Sequence, residues 1–167
     1  LLKADGLPTY HMAHAVDDYL MGTTHVIRGD EWLPSVPLHL QLFEAIGKAA
    51  PAYAHIAPIN KMDGTSRRKL SKRKDPEASV GFFDQAGYPA DAVLDYLRTL
   101  ADAGFEDWKA KDPERSSWDF ELSFKGLRGS SGPLFDFAKL GNISRNLIAS
   151  LSADELMGIL KPWAGTY

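Results

Sequence analysis

A strand–helix–strand pattern in the first third of the chain constrains its fold more than any other feature. A short apolar stretch at 25–27 predicts a strand. Ser35 and Pro37 predict a helix start, and the apolar spacing after them continues to Gly47. A second short strand is predicted for 53–59. This spacing is typical of a β–α–β unit with parallel strands, whose ligands lie at the carboxyl ends of the strands.

Side chains suited to a polar ligand follow the first predicted strand directly. Arg28 offers a planar fork for a carboxylate. Glu31 can accept a hydrogen bond from a ribose hydroxyl or an amino group. Trp32 offers a flat face to a base, although an isolated Trp is more often part of a core. We therefore predict a ligand site at this end of the strand.

A helix predicted for 10–21 precedes the first strand. Tyr10 and His14 lie one turn apart on the same face of this helix, and together they can hydrogen-bond a small polar ligand at its N-terminus. Asp17 and Asp18 are interpreted as structural, because adjacent helical residues do not face one site.

Two further histidines, His39 and His55, lack the spacing of a metal site. Both are interpreted as structural. His55 is the exception worth noting, because it lies near the end of the second predicted strand and close in sequence to a basic run.

The basic run occupies residues 67–74, where six of eight side chains are Arg or Lys although the whole chain has a formal net charge of −3. Charge patterning alone is equally consistent with a solvated loop and with a loop that binds a triphosphate or a nucleic-acid backbone. The sequence pI of about 5.9 argues against wholesale coating of nucleic acid. Any contact with nucleic acid is therefore expected to be local, at 67–74.

From residue 75 onward the pattern is helical, so the fold class is α/β followed by all-α, with a boundary within 61–75. Helix starts are predicted at Asp75-Pro76-Glu77 and at Pro89, and a capping box at Ser152 and Glu155 opens a last helix. Other expected features are a short helix within loops at 102–132 and two short helices at 134–140 and 143–151.

Composition narrows the class of protein. The chain of 167 residues is long enough for one ordinary domain or two small ones. It has no cysteine, which excludes disulfides, Cys-ligated zinc and Cys nucleophiles. No apolar run approaches the roughly 20 residues of a membrane span. A cytoplasmic protein that does not bind membranes is expected.

Separated motifs, in a consistent order, resemble those of a known family. Before the basic run they are Tyr10-His11, Val16-Asp17-Asp18, His25-Val26-Ile27-Arg28-Gly29, Glu31-Trp32-Leu33 and His55. The later ones are Lys69-Leu70-Ser71-Lys72-Arg73, Asp75-Pro76-Glu77, Gly87-Tyr88-Pro89, Phe105-Glu106-Asp107-Trp108 and Ser131-Gly132-Pro133-Leu134-Phe135-Asp136. On these residues the chain resembles bacterial-type glutamyl-tRNA synthetases, which are class I aminoacyl-tRNA synthetases, over essentially its whole length.

The resemblance implies ATP-dependent ligation of L-glutamate to tRNA(Glu) through a glutamyl-adenylate. It implies catalytic roles for the signature loop, at Lys69, Ser71 and Lys72. It also implies contacts with each substrate: glutamate at Tyr10, His14 and Arg28; ATP at Glu31, Trp32, Pro58, Ile59, Lys69 and Lys72; and tRNA at Arg67, Arg68, Arg73 and Lys74. ATP chemistry implies Mg²⁺, although no ligand motif for it occurs here. A monomer is expected.

The same resemblance implies three regions. Residues 1–74 would be the C-terminal half of a Rossmann-type catalytic domain, including the signature loop. Residues 75–150 would be a helical domain that contacts the tRNA stem, and 151–167 would begin the anticodon-binding region.

One departure from the family pattern is large. The second class I signature, His-Ile-Gly-His, does not occur in this sequence. The chain is therefore expected to be an internal fragment that contains half of an active site and cannot adenylate glutamate by itself.

Two alternatives remain. One is an enzyme that glutamylates a modified tRNA base, although the roughly 90 residues after the basic run, rich in helix signals, count against it. The other is a non-catalytic module that binds tRNA, for which the salt dependence of binding would be the distinguishing property.

Overall fold

A computed structural model describes residues 1–123 and 132–167 of the chain. Ser131, one of the motif residues above, lies outside the described residues. The chain divides into two units, 1–57 and 58–167. This division follows chain contacts, whereas the three predicted regions are functional, and their boundaries at 74 and 150 stay predictions.

The first unit contains the predicted β–α–β arrangement. Its elements are α1 (Tyr10–Leu20), β1 (His25–Gly29), a 3₁₀ helix (Asp30–Ser35), α2 (Val36–Ala45) and β2 (Ala52–Ile56). Strands β1 and β2 pair in parallel, with His25 opposite Ala52 and Gly29 opposite Ile56, so the prediction is confirmed. Strand β2 ends earlier than predicted, two residues before Pro58, which has no N–H to donate to a ladder.

Helices α1 and α2 form the core of the first unit. Ala15, Leu42 and Phe43 are buried together, and Met12 and Ile46 pack against them. Full burial of a side chain such as Phe43 contributes about 1.5–3 kcal/mol. This packing fixes the two helices on which the predicted site residues lie.

The second unit begins with a hairpin that the sequence analysis did not predict. Strand β3 (Asn60–Asp63) pairs antiparallel with β4 (Ser66–Lys69). Gly64 follows β3 with a φ of +62°, and a two-residue hairpin turn favours Gly at this position because it needs a positive φ. The basic run therefore starts on a strand, and its second half follows that strand.

The rest of the second unit is helical, as predicted. Its elements are a 3₁₀ helix (Pro76–Ala78), α3 (Val80–Gln85), α4 (Ala90–Ala101), α5 (Gly104–Lys111), a 3₁₀ helix (Ser117–Asp119), α6 (Phe137–Ser150) and α7 (Ala153–Thr166). The prediction of two helices at 134–140 and 143–151 is wrong, because α6 is continuous through Gly141. The predicted capping box of Ser152 and Glu155 at the start of α7 is confirmed.

Aromatic packing holds these helices together. Tyr96 of α4 and Leu140 of α6 are fully buried and lie in one cluster with Phe83. The Tyr96 hydroxyl accepts a hydrogen bond of 2.5 Å from the Asp136 backbone N–H, which satisfies the buried phenol. None of the helices within 1–123 and 132–167 is both long and apolar enough to cross a bilayer.

Candidate functional site

The guanidinium of Arg28 is the centre of a polar and aromatic cluster in the first unit. Its Nε donates to Nε2 of His55 at 3.2 Å, and its Nη1 donates to Nδ1 of His39 at 3.2 Å. Its Nη2 lies 3.5 Å from the carbonyl oxygen of Trp32, at the limit of a hydrogen bond. A guanidinium has five N–H groups, so one on each terminal nitrogen remains for another acceptor.

Aromatic rings surround the same guanidinium. The Cζ of Arg28 lies 4.9 Å from the ring centre of Tyr53 and 5.7 Å from that of Trp32, both within cation–π range. No carboxylate in 1–123 or 132–167 forms an ion pair with Arg28. This half-buried cation is therefore placed to bind an anion from outside the chain.

The contacts of Arg28 also fix the protons of two histidines. Because a guanidinium only donates, Nδ1 of His39 and Nε2 of His55 must accept and are unprotonated. Nε2 of His39 then donates to Nδ1 of His11 at 2.9 Å. Burial, with the nearby His14 and Arg28, lowers the pKa of His39 to about 4. Burial and Arg28 likewise lower the pKa of His55, so both rings are neutral at pH 7.

His14 joins the cluster through both of its ring nitrogens. Nδ1 lies 2.9 Å from a carboxylate oxygen of Asp18, and Nε2 lies 3.0 Å from the hydroxyl of Tyr53. Burial lowers the pKa of His14 although Asp18 opposes this change, and burial raises the pKa of Tyr53. The consistent proton arrangement is a neutral His14 that donates to Asp18 and accepts from Tyr53. The structural interpretation of Asp18 is therefore supported.

The predicted residues on α1 lie beside those after β1. The ring of Tyr10 is 4.6 Å from that of Trp32 and stacks on that of His14 at 6.0 Å. Glu31 is exposed, and its carboxylate folds over Gly29, where a β-carbon would come within 2.0 Å of an oxygen. Any residue but Gly at position 29 would therefore displace Glu31.

In the second unit, the fold itself balances part of the positive charge of the basic run. The terminal nitrogens of Arg68 donate to both carboxylate oxygens of Asp75, at 2.6 and 2.8 Å, and its Nε donates to Asp63 at 2.7 Å. Arg67 donates to the carbonyl oxygen of Gly132. Both arginines were predicted to contact tRNA, yet their side chains already have partners within the protein.

Asp75 closes the turn that contains Ser71. Its side chain is nearly buried and accepts from the Ser71 backbone N–H at 2.8 Å. The carbonyl oxygen of Ser71 in turn accepts from the backbone N–H groups of Lys74 and Asp75. Hydrogen bonds from Arg68 and then from Ser71 hold the pKa of Asp75 well below its usual range, so this carboxylate is ionised. Lys61, which pairs with Glu77, adds a further cation 3.5 Å from Asp75.

The remaining cations of the run differ from Arg68. Lys72, Arg73 and Lys74 are exposed, and none forms an ion pair within the described part of the chain. Lys69 is exposed at the end of β4. The turn therefore presents three adjacent cations to solvent from a backbone that Asp75 fixes, which is an arrangement suited to phosphates.

Pro58 and Ile59 precede β3 and are partly buried. The carbonyl oxygen of Ile59 accepts from the Leu70 N–H, which connects this segment to the start of the turn. A β-carbon on Gly132 would come within 2.2 Å of the Pro58 carbonyl oxygen, and the φ of Gly132 is +78°. Only Gly is compatible with that approach.

Sequence reasoning missed His39 and His55 as functional candidates. The signal for His55 was available, because pairing β1 with β2 in parallel places it beside Arg28 in the register. The signal for His39 was weaker, since a buried histidine on an apolar helix is an ordinary core residue. Within 1–123 and 132–167 there is no cluster of three or more His, Asp or Glu side chains that could hold a metal ion.

Comparison with known proteins gives a consistent assignment. A family model described as tRNA synthetases class I (E and Q), catalytic domain, matches residues 1–110. Glutamate–tRNA ligase of Clostridium perfringens (strain 13) is 48% identical over 167 residues, which are 100% of this chain and 30% of that protein. The ligase of Clostridium beijerinckii is 49% identical over 164 residues, covering 98% of this chain and 30% of its own.

A crystal structure of a glutamate tRNA ligase from Elizabethkingia meningosepticum, in complex with its amino acid, matches with a TM-score of 0.77 and 29% identity. The match covers 97% of this chain and 34% of that one. The chain thus spans about a third of the length of the relatives it matches. Because the family model covers well over half of the chain, this protein belongs to the class I tRNA synthetases of the glutamate and glutamine (E and Q) group.

Proposed function

We propose that this chain is the part of a glutamate–tRNA ligase that binds L-glutamate and the phosphates of ATP. The overall reaction is ligation of L-glutamate to tRNA(Glu) through a glutamyl-adenylate. The observation that supports it most is Arg28, a cation without a carboxylate partner among the described residues, held between aromatic rings with two N–H groups to spare.

Arg28 binds a carboxylate of glutamate through those two N–H groups. Tyr10 and His14 flank the amino acid, because their rings stack beside Trp32 on the same side of the cluster as Arg28. The neutral state of His14 suits this role, since a neutral ring can accept or donate without adding charge. Selection of the substrate therefore depends on one cation and on hydrogen bonds from neutral groups.

The turn after β4 acts on the phosphates. An oxygen of the α-carboxylate of glutamate attacks the α-phosphorus of ATP, the new P–O bond forms, and pyrophosphate leaves. Lys72, with Lys69 and the turn at Ser71, stabilises the negative charge that develops on the phosphate oxygens. This role is electrostatic and requires no proton transfer from the protein. Mg²⁺ bound with ATP would neutralise phosphate charge. Since no described cluster fits a metal, the phosphates and water would supply its ligands.

The other proposed contacts follow the same logic. Glu31 and Trp32 would lie on the ATP side of the first unit, and Pro58 and Ile59 would border the adenine. Arg73 and Lys74 would contact tRNA, because both are exposed and have no ion pair among the described residues. Arg67 and Arg68 are expected to add less to tRNA binding, since the fold already uses both side chains.

The finer domain organisation is also part of the proposal. Residues 1–74 would be the C-terminal half of the Rossmann-type catalytic domain. Residues 75–150 would contact the tRNA stem, and 151–167 would begin the anticodon-binding region. The enzyme would act as a monomer in the cytoplasm. The continuous helices α4 and α6 support the second region, because their packing gives a rigid surface.

Charging of tRNA(Glu) with labelled glutamate tests the proposal, using this chain beside a version extended upstream along the natural gene. Only the extended version should charge tRNA. Lys72→Ala in that version should lower the rate of glutamate activation at least tenfold and change the salt dependence of tRNA binding little. Lys109→Ala, on the exposed face of α5, is a matched control that should leave both quantities unchanged. If both versions bind tRNA and neither charges it, the non-catalytic binding module is the better interpretation.

A further inference from the structure

Two neutral histidines on different elements hold the guanidinium of Arg28. His39 lies on α2 and is fully buried, whereas His55 lies on β2 at the register position opposite Arg28. We infer that His39 and His55 are positioning residues that orient Arg28 toward the carboxylate of its ligand, each through one particular ring nitrogen. The identity of that ligand as L-glutamate rests on the proposed function.

The chemistry of an imidazole explains why these positions are histidines. An Asp or Glu at either position would also accept from Arg28, but it would neutralise the cation and compete with the carboxylate of the ligand. A neutral imidazole nitrogen accepts the hydrogen bond and leaves the positive charge available. The arrangement therefore fixes the direction of the guanidinium while it preserves the charge for binding.

The geometry assigns a separate function to each ring. His55 accepts from Nε at 3.2 Å, which fixes the rotation of the guanidinium about its long axis. His39 accepts from Nη1 at 3.2 Å, which fixes one terminal nitrogen. His39 is itself held by His11, whose Nδ1 lies 2.9 Å from the other ring nitrogen. The two N–H groups left on the terminal nitrogens then point away from both rings.

Because the two histidines accept through different nitrogens, amide substitutions should act in opposite ways at the two positions. The side-chain oxygen of Asn reaches about the place of Nδ1, and that of Gln reaches about the place of Nε2. His39→Asn and His55→Gln therefore keep an acceptor for Arg28. His39→Gln and His55→Asn place the acceptor wrongly. Each substitution thus serves as the matched control for the same substitution at the other position.

The experiment measures two quantities in this chain and its four variants. The first is exchange of the Arg28 Nε–H with water and rotation of its guanidinium, followed by NMR with labelled arginine. The second is the affinity for L-glutamate, followed by titration. His39→Gln and His55→Asn should speed exchange or rotation and weaken glutamate binding about tenfold, as expected for loss of a hydrogen bond to a charged group. His39→Asn and His55→Gln should stay within about twofold of the parent.

The outcomes separate this inference from the proposed function. If the four variants do not follow this crossed pattern, the positioning role is wrong. If Arg28 follows the pattern but the parent chain does not bind L-glutamate, the positioning role stands and the proposed ligand is wrong. The parent chain gives an additional measurement that does not depend on any variant folding. Its histidine NMR should show His39 protonated at Nε2 and His55 protonated at Nδ1, and the opposite tautomer at either ring would overturn the inference.

Discussion

Arg28 and His55 are paired in register on the parallel strands β1 and β2, and the Arg28 Nε donates a 3.2 Å hydrogen bond to Nε2 of His55. The backbone ladder therefore places both side chains on the same face of the sheet. A cation oriented by strands is held more precisely than one on a loop. The following predictions depend on such specific contacts.

Replacing Arg28 with Lys keeps the positive charge but removes the planar fork and its stacking on Tyr53 and Trp32. We expect the affinity of this chain for L-glutamate to fall 10- to 100-fold, which corresponds to about 1.4–2.8 kcal/mol. Titration of the variant with L-glutamate measures this change. Arg115→Lys is the matched control, because Arg115 also stacks on a tryptophan, Trp108, but lies outside the cluster. Equal affinity for parent and Arg28→Lys would contradict the role of the fork.

Stability should depend on pH through His39. Its pKa of about 4 in the folded chain is below the ordinary value of 6.5, so the unfolded chain binds more protons between these pH values. The free energy of unfolding should therefore fall as the pH decreases from about 6.5 to about 4, by roughly 1–3 kcal/mol. The groups that set this pKa besides burial are the neighbouring cation Arg28, the rings of His14 and His11, and the opposing carboxylate of Asp18.

Urea unfolding at a series of pH values measures this dependence. His14 and His55 act in the same direction as His39, because burial also lowers their pKa values. His39→Asn should reduce the slope between pH 4 and 6.5, whereas His25→Asn, at an exposed position, should not. A stability independent of pH across this window would contradict a neutral, buried His39.

Asp75→Asn should loosen the turn at Ser71 without unfolding the chain. The substitution removes the charged fork for Arg68, and an amide can accept from only one of the donors with its single oxygen. Hydrogen exchange of the Ser71 backbone amide should become at least tenfold faster. Asp63→Asn should have a smaller effect, because Asp63 is exposed and contacts Arg68 alone. Equal exchange rates in all three proteins would show that Asp75 does not fix the turn.

Gly87→Ala should destabilise the second unit by about 1–2 kcal/mol. Gly87 has a φ of +74°, and a β-carbon there would lie 3.3 Å from the ring of Trp163. Gly158→Ala, within α7 and with open space around it, should instead stabilise by about 0.5–1 kcal/mol. Thermal unfolding of both variants checks this opposite pair of signs, and a destabilising Gly158→Ala would contradict it.

Elements with local signals were predictable from the sequence. The β–α–β unit was, because its strands are apolar and its helix has a proline in the first turn. The capping box of α7 was, because Ser152 and Glu155 lie three residues apart.

The β3–β4 hairpin was missed because its strands are polar and show no alternation of apolar residues. Backbone hydrogen bonds with 133 and 135, some 70 residues away, help to hold Asn60 in place, and no local pattern reports them. The continuous α6 was missed for a similar reason. Gly141 suggested an interruption, but Leu140 is buried against α4 and the packing maintains the helix.

The candidate site was predictable where chemistry and sequence position coincide. Arg28 and Trp32 were expected at the end of β1, and the structure brings them into contact with Tyr10 and His14. The internal partners of Arg68 were not predictable from charge patterning. Asp75 was read only as a helix cap, whereas its side chain faces the arginine instead.

The double hydrogen bond between Arg68 and Asp75 also limits how this sequence can change over time. Loss of Arg68 alone would leave a nearly buried carboxylate without its main counter-charge, and loss of Asp75 alone would release both the arginine and the turn. Neither residue can be exchanged freely while the other stays. Related sequences should therefore keep both residues or replace both, so that positions 68 and 75 vary together along the lineage of this family.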